Sequence, residues 1–244
     1  MNAHLENYRS ITFSLSVGLI YLSIMTLAWA ETPLDQDGTK SDFSAIHVTG
    51  PLIVNVTQGE KTGVDHESQA VRVDYADDAL FIEARPADGN TDSPIIWITL
   101  PELSELTVQG ASEIALDGFS GDTLVIDAVN HDGGYGKITG SRISYTHLLV
   151  SANGRFEFDL AGKVTHQDVS IHGAGVYGAE GLLSETSIVA ITGVGVLHVW
   201  TERWLDLDVD GQAQVSYNGA PWVNKQVSGN VNLNSNFTEF STSL

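Results

Sequence analysis

Several residue types are scarce or missing in this chain of 244 residues. It contains no cysteine, and only 11 lysine and arginine residues stand against 31 aspartate and glutamate residues, so the formal net charge is −20. Without cysteine the chain can form neither a disulfide bond nor a lipid-anchored cysteine. The negative charge argues against nucleic acid and against anionic lipid surfaces as partners. It suits a soluble exported protein or one that binds cations.

Long apolar runs are missing except for one near the N-terminus. Residues 11–28 are almost entirely apolar or small, and Ala28-Trp29-Ala30 fits a signal-peptide cleavage site. We predict that residues 1–30 are a secretory signal peptide and that 31–42 form a linker. The protein is then exported, periplasmic or extracellular, with no membrane span after cleavage. The alternative is an uncleaved anchor, because the run is nearly long enough to cross a bilayer.

Helical periodicity is also missing, since no segment keeps a helical period for more than two turns. Instead, six stretches repeat an alternation of apolar and small residues. Their matched apolar anchors are Val108, Ile126, Val150, Ile171, Ile191 and Val209. The anchors lie 18, 24, 21, 20 and 18 residues apart. A period near 20 residues with alternating apolar positions indicates stacked β coils. We therefore expect an all-β fold, a right-handed parallel β-helix (solenoid) with an N-terminal β cap.

The expected domain is single and covers residues 43–240. Residues 43–100 would form the N-terminal cap or first coils, 103–217 the regular coils, and 221–240 a C-terminal cap, because the ends of a stack of strands expose edges that need covering. Small residues form one inward column in this prediction, where the backbone turns tightly or packs closely. The column is Gly110, Ala128, Ala152, Gly173, Gly193 and Gly211.

The order of several short motifs resembles a known family. They are Phe43-Ser-Ala-Ile-His-Val-Thr-Gly50, Val108-Gln-Gly-Ala-Ser-Glu-Ile114, Ile171-His-Gly-Ala-Gly-Val176, Ile191-Thr-Gly-Val-Gly-Val196 and Val215-Ser-Tyr-Asn-Gly-Ala-Pro221. On these motifs the chain resembles the GIN-domain family, labelled putative autotransporter adhesin head domain, a domain of unknown function. The resemblance covers residues 43–222 and implies a parallel β-helix in an exported bacterial protein. It brings no catalytic residues with it.

One outward column suggests a possible catalytic group. The predicted register places His147 and Asp168 on adjacent coils with Ser170 diagonally near, and an acid, a histidine and a hydroxyl invite comparison with a catalytic triad. The alternative is a surface ion pair beside an unrelated serine, and we favour it because no oxyanion loop is visible.

Carboxylates offer one candidate metal site. Asp206, Asp208 and Asp210 alternate on one predicted strand and could hold calcium, although their spacing is wide for a single ion. The alternative is a solvated acidic stripe. No other cofactor is predicted, and the spacing of the histidines argues against a transition-metal site.

Two further features suggest binding. A glycine-rich insertion over residues 130–136 carries His131, Asp132 and Tyr135; loops on rigid scaffolds often carry function, although the insertion is also easily tolerated without one. One outward face is unusually apolar, which indicates either a partner or cover by the chain's own tail. Its large members include Val125, Leu149 and Val194.

These features favour a non-catalytic exported domain for binding, adhesion or scaffolding at the bacterial cell envelope. Its partner would be an envelope glycan or protein, or a second copy of the chain. The alternative is a carbohydrate-active enzyme, a polysaccharide hydrolase or lyase, in which His147, Asp168 and His172 would be the first residues to substitute. The two carboxylates in the outward column of His172 are too far apart for a glycosidase pair.

Overall fold

The computed structural model describes residues 43–76, 78–84, 93–131 and 133–236. The predicted signal peptide and linker, and residues 237–240 of the predicted C-terminal cap, lie outside these ranges. The described strands are β1 (Ala45–Thr49), β2 (Ile53–Gln58), β3 (Gly63–His66), β4 (Val71–Ala76), β5 (Ala79–Ala84), β6 (Ile95–Leu100), β7 (Glu105–Gln109), β8 (Glu113–Asp117), β9 (Ser120–Val129), β10 (Gly136–Asn218) and β11 (Trp222–Ser235). The described part of the chain contains no helix with the length and apolar character of a membrane span.

Alternation along the strands builds the core. In β9, for example, Leu124, Ile126 and Ala128 are fully buried while the residues between them are partly exposed. Side chains on a strand point alternately to opposite faces, so one face of each strand fills the interior. The six predicted anchors are all buried. The expected all-β class and the inward direction of the anchors are confirmed.

The predicted right-handed parallel β-helix is wrong. All eleven strands join one mixed sheet that forms a nearly closed barrel. Strand β3 pairs antiparallel with β6, and β4 pairs antiparallel with β5, although the other pairs are parallel. The physical reason is clear for β4 and β5, because only residues 77–78 separate them. A connection of two residues can join antiparallel neighbours, whereas parallel strands need a long crossover.

The predicted register is also wrong at two steps. Strand β7 pairs with β9 so that Leu106 lies beside Ile126, not beside Leu124. The next step, from Ile126 to Val150, is as predicted. A slip of two residues keeps every side chain on its own face, so alternation alone cannot detect it. The second slip, also of two residues, follows Val150. It is shown by which glycines lie side by side, as described next.

A column of glycines in the left-handed region runs across successive stretches of β10 and into β11. Its members are Gly154, Gly173, Gly193, Gly211 and Gly229, with φ between 114° and 146°. A Cβ built on any of the last four would come within 3.0 Å of the carbonyl oxygen of the preceding glycine. The column therefore contains Gly154 where the sequence suggested Ala152. Asn130 takes the place predicted for Ala128, since its amide donates to the carbonyl of Asn153, next to Gly154.

The core also contains a polar cluster that alternation did not reveal. Gln167, Ser184, Ser187, Thr201 and Tyr177 are each at most 1% exposed. The Gln167 amide nitrogen donates to Ser184 Oγ at 3.0 Å and Ser187 Oγ at 2.8 Å, and its oxygen accepts from Tyr177 at 2.9 Å. Ser187 and Thr201 are joined at 2.5 Å. Burial raises the pKa of Tyr177, which keeps its hydroxyl a donor.

Candidate functional site

The outward face beside the glycine column mixes apolar and acidic side chains. Val125 pairs with Leu149, which is 40% exposed. Gly154 lies beside Gly173, 19 residues later, and the same interval counted from Leu149 leads to Asp168. Gly173 lies beside Gly193, 20 residues later, and that interval counted from Asp168 leads to Ile188, which is 50% exposed. Val194, 55% exposed, lies on the other side of the glycine column, directly after Gly193. The predicted apolar face is therefore divided by the glycines. We call Val125, Leu149 and Ile188, which share one column, the outer patch.

The structure does not join His147 to Asp168. The ring of His147 instead stacks on that of His166, with centroids 5.1 Å apart and an interplanar angle of 20°. His166 Nδ1 lies 2.6 Å from Thr186 Oγ1. The two-residue slip after Val150 accounts for the change, because it brings His166 beside His147 in place of Asp168.

Ser170, the third member of the predicted catalytic group, lies beside a different histidine. Ser170 Oγ is 3.2 Å from His172 Nε2, on the same stretch of strand. Burial by its neighbours raises the pKa of the Asp168 carboxyl, but no hydrogen bond or ion pair joins Asp168 to either histidine in the described part of the chain. The hydroxyl and imidazole therefore have no carboxylate to orient the ring, as a triad would require.

The row of aspartates faces a row of neutral polar residues. Asp206, Asp208 and Asp210 share the outward side of β10, and β11 places Asn224, Gln226 and Ser228 beside them. The Asn224 amide donates to Asp206 Oδ1 at 3.0 Å. Across the described residues no group of three or more acidic, histidine or cysteine side chains is arranged to hold a metal ion. The calcium site remains a prediction from the sequence.

The candidate loop is attached to the sheet through its tyrosine. His131 is exposed, Asp132 lies outside the described residues, and Tyr135 donates a hydrogen bond to Glu157. Lys137 Nζ lies 3.1 Å from the other oxygen of the same carboxylate. Hydrogen bonds from Tyr135 and then Lys137 lower the pKa of Glu157. Burial, followed by the bond to Glu157, raises the pKa of Tyr135 to about 12.

This bond gives a testable expectation for the loop. In an absorbance titration of phenolate formation, the Tyr135→Phe variant should lack one ionisation near pH 12. Glu157→Gln should move that ionisation towards pH 10 without removing it, because burial remains. Because the pKa of Tyr135 is raised, the stability it contributes is full below about pH 10 and is lost as pH rises towards 12. Loss of an ionisation near pH 10, instead of near pH 12, in Tyr135→Phe would contradict the contact.

Exposed tryptophans are a surface feature that sequence reasoning missed. Trp204 and Trp222 are stacked, with ring centroids 4.0 Å apart, and are 40% and 56% exposed. Trp200 is also exposed and donates from its indole nitrogen to Glu202 Oε1 at 2.7 Å. The sequence signal for this pair is its spacing, because Trp204 and Trp222 are 18 residues apart and the same interval separates paired residues of β10 and β11.

A shallow groove of about 510 Å³ lies near these aromatic side chains. Its walls include Lys163, Glu185, Glu202 and Arg203. Arg203 is paired with Glu185 at 3.3 Å, and both side chains are well exposed. Exposed pairs of this kind contribute little to stability and do not define a ligand.

Comparison with known families agrees with the motif order. The sequence profile of the family described as "putative auto-transporter adhesin, head GIN domain" matches residues 42–221. None of the curated proteins matches the chain.

Solved structures share the fold at low sequence identity. A protein described as a putative adhesin from Bacteroides fragilis superposes with a TM-score of 0.71 at 21% identity, covering 80% of this chain and 92% of that one. A protein described as a putative lipid binding protein from Parabacteroides distasonis gives 0.61 at 19% identity, covering 80% and 93%. A putative adhesin from Parabacteroides merdae gives 0.54 at 20% identity, covering 81% and 93%. At these identities the likeness establishes the fold alone.

Proposed function

Since the chain belongs to the GIN-domain adhesin family, we propose that it is an exported, non-catalytic module that binds a glycan or protein of the bacterial cell envelope. The observation that carries this proposal is the outer patch, in which two large apolar side chains, Leu149 and Ile188, stand exposed on the sheet. Leu149 and Ile188 belong to it, and Asp168 lies between them in the column.

This mixture suits recognition rather than a dry interface between subunits. Apolar groups provide contact area, and carboxylates between them accept hydrogen bonds from hydroxyl or amide groups of a partner. The net charge of −20 opposes binding of polyanions, which favours neutral glycans and proteins without a large acidic surface. The separation of His147 from Asp168 supports a binding role over hydrolysis.

The test uses purified protein and a panel of envelope polysaccharides and peptidoglycan fragments. Binding is followed by biolayer interferometry, and the same mixtures are assayed for new reducing ends and unsaturated products. We expect saturable binding to at least one probe and no product. Leu149→Asp and Ile188→Asp should each weaken binding about tenfold or more, because a carboxylate replaces an apolar anchor.

The matched control is Ile95→Asp. Ile95 is 42% exposed, and its strand β6 is separated from β10 by β2 and β8 in the order of the sheet. Its binding should be unchanged. Formation of product would support the enzyme alternative, and equal binding by all three variants would remove the outer patch as the site.

A further inference from the structure

Strand β11 is the feature that the proposed function leaves unexplained. It covers Trp222–Ser235 and pairs on one side with β10, and within the described residues no other strand pairs with it. Its side chains are mostly exposed. A long open strand edge presents unused amide and carbonyl groups that can pair with another strand. Natural proteins commonly protect such edges with proline or charged side chains, and β11 contains only one such residue, Lys225.

On the inward side of β11 the apolar groups have, among the described residues, a neighbouring strand on one side only. Val227 continues the column of buried Val209 and yet is 41% exposed, and Val231 and Leu233 continue the columns of Ala213 and Val215. The edge therefore offers apolar side chains and backbone hydrogen-bonding groups together. That combination fits an added strand better than it fits a small ligand.

The charge of β11 suits a second copy of the chain as the partner. The whole chain carries −20, but β11 has no aspartate or glutamate and one lysine, Lys225. Two copies of so acidic a protein would repel each other at most surfaces. They can approach through this strand, where the outward side chains from Asn224 to Asn234 are amides and hydroxyls that both donate and accept hydrogen bonds.

We propose that two copies of the chain associate through antiparallel pairing of their β11 strands about a two-fold axis at Gly229. A two-fold interface brings the same patch of each copy together. With Gly229 opposite Gly229, inward residues meet inward residues and outward residues meet outward residues. Between residues 224 and 234 the resulting cross-strand pairs are Val227 with Val231, Lys225 with Leu233, Asn224 with Asn234, Gln226 with Asn232, and Ser228 with Asn230. The proposal does not depend on the proposed envelope-binding function.

The self-complementarity of these pairs supports the register. Three of the five pairs join neutral polar side chains, and one joins two valines. Lys225 is the exception, because it continues the inward column of buried Leu207 and would meet Leu233. Desolvation of its ammonium group weakens the association, so Lys225→Leu should lower the dissociation constant.

The first test is the oligomeric state of the purified protein by sedimentation velocity over a range of concentrations. We expect a dimer for the wild type, a dissociation constant at least tenfold higher for Val227→Asp, and a lower one for Lys225→Leu. Ile95→Asp is the matched control, since Ile95 is 42% exposed, against 41% for Val227, and lies outside both β11 and the outer patch. A monomer at all concentrations, or a dimer that Val227→Asp does not weaken, overturns the proposal.

The second test fixes the register and exploits the lack of native cysteine. In the double variant Gln226→Cys/Asn232→Cys, the two positions face each other across the proposed interface, at a distance that suits a disulfide bond. Within one copy they are six residues apart on an extended strand and cannot join. Oxidation should give a covalent dimer on a denaturing gel.

The shifted pair Asn224→Cys/Asn232→Cys is the control for this register and should cross-link far less. Equal cross-linking by both double variants, or none by either, overturns the pairing about Gly229.

Discussion

Gly193→Ala is expected to lower the free energy of unfolding by about 4 kcal/mol or more. The backbone of Gly193 has φ 123°, which L-residues with a side chain rarely adopt, and this alone costs about 1–3 kcal/mol. The new Cβ would also come within 3.0 Å of the carbonyl oxygen of Gly173. That atom belongs to the backbone of the neighbouring stretch, so relief requires the stretches to separate.

Thermal and denaturant unfolding of the variant measure this effect. The melting temperature should fall by about 10 °C or more, for a described domain of nearly 200 residues. Gly63→Ala is the matched control, because Gly63 has no positive φ and a Cβ there meets nothing within 4 Å. Its stability should change by less than about 1 kcal/mol. A loss of that small size in Gly193→Ala would mean that the close approach is absent.

Gln167→Leu is expected to lower the free energy of unfolding by about 2–4 kcal/mol, although leucine is apolar and of similar size. The Gln167 oxygen accepts the hydrogen bond of Tyr177, a residue that is fully buried. After the substitution this hydroxyl has lost its acceptor and cannot reach water. Ser184 and Ser187 lose a donor each but keep their bonds to each other.

A double-mutant cycle with Tyr177→Phe separates the hydrogen bond from packing. Tyr177→Phe alone leaves the Gln167 oxygen without its donor, whereas the double variant removes both polar groups. We expect the double variant to be more stable than the sum of the single losses predicts, by about 1–3 kcal/mol. Additive losses in denaturant unfolding would show that the bond contributes nothing specific.

Part of the fold could be predicted from the sequence because alternation records burial directly. The same alternation, extended two residues back from Val169 and Val189, places Gln167 and Ser187 inside, so the sequence pattern does predict that these two members of the polar cluster are buried. It was missed because polar residues between apolar ones were assigned to the surface. Residue types alone do not reveal that buried partners satisfy each other.

Register is the part that alternation could not provide. Leu124 and Ile126 face the same way and are equally apolar, so either satisfies the pattern beside Leu106. The second slip, after Val150, moved the predicted partner of His147 from His166 to Asp168, and with it the candidate catalytic group. Sites formed by side chains of neighbouring strands depend on the register between those strands, whereas sites within one strand, such as the aspartates of β10, do not. The antiparallel pairs of β3 and β4 required knowledge of the connections as well as the strands.

The parallel pairing of β11 with β10 has a mechanical consequence. Residues of β11 lie beside residues 18 positions earlier, and Gly193 lies beside Gly211 by the same interval. A pulling force on the C-terminal end of β11 therefore breaks the hydrogen bonds of one strand pair at a time. Each detached interval of 18 residues releases about 60 Å of extended chain. A protein built in this way unfolds under tension in steps and lengthens greatly before its remaining strands bear force.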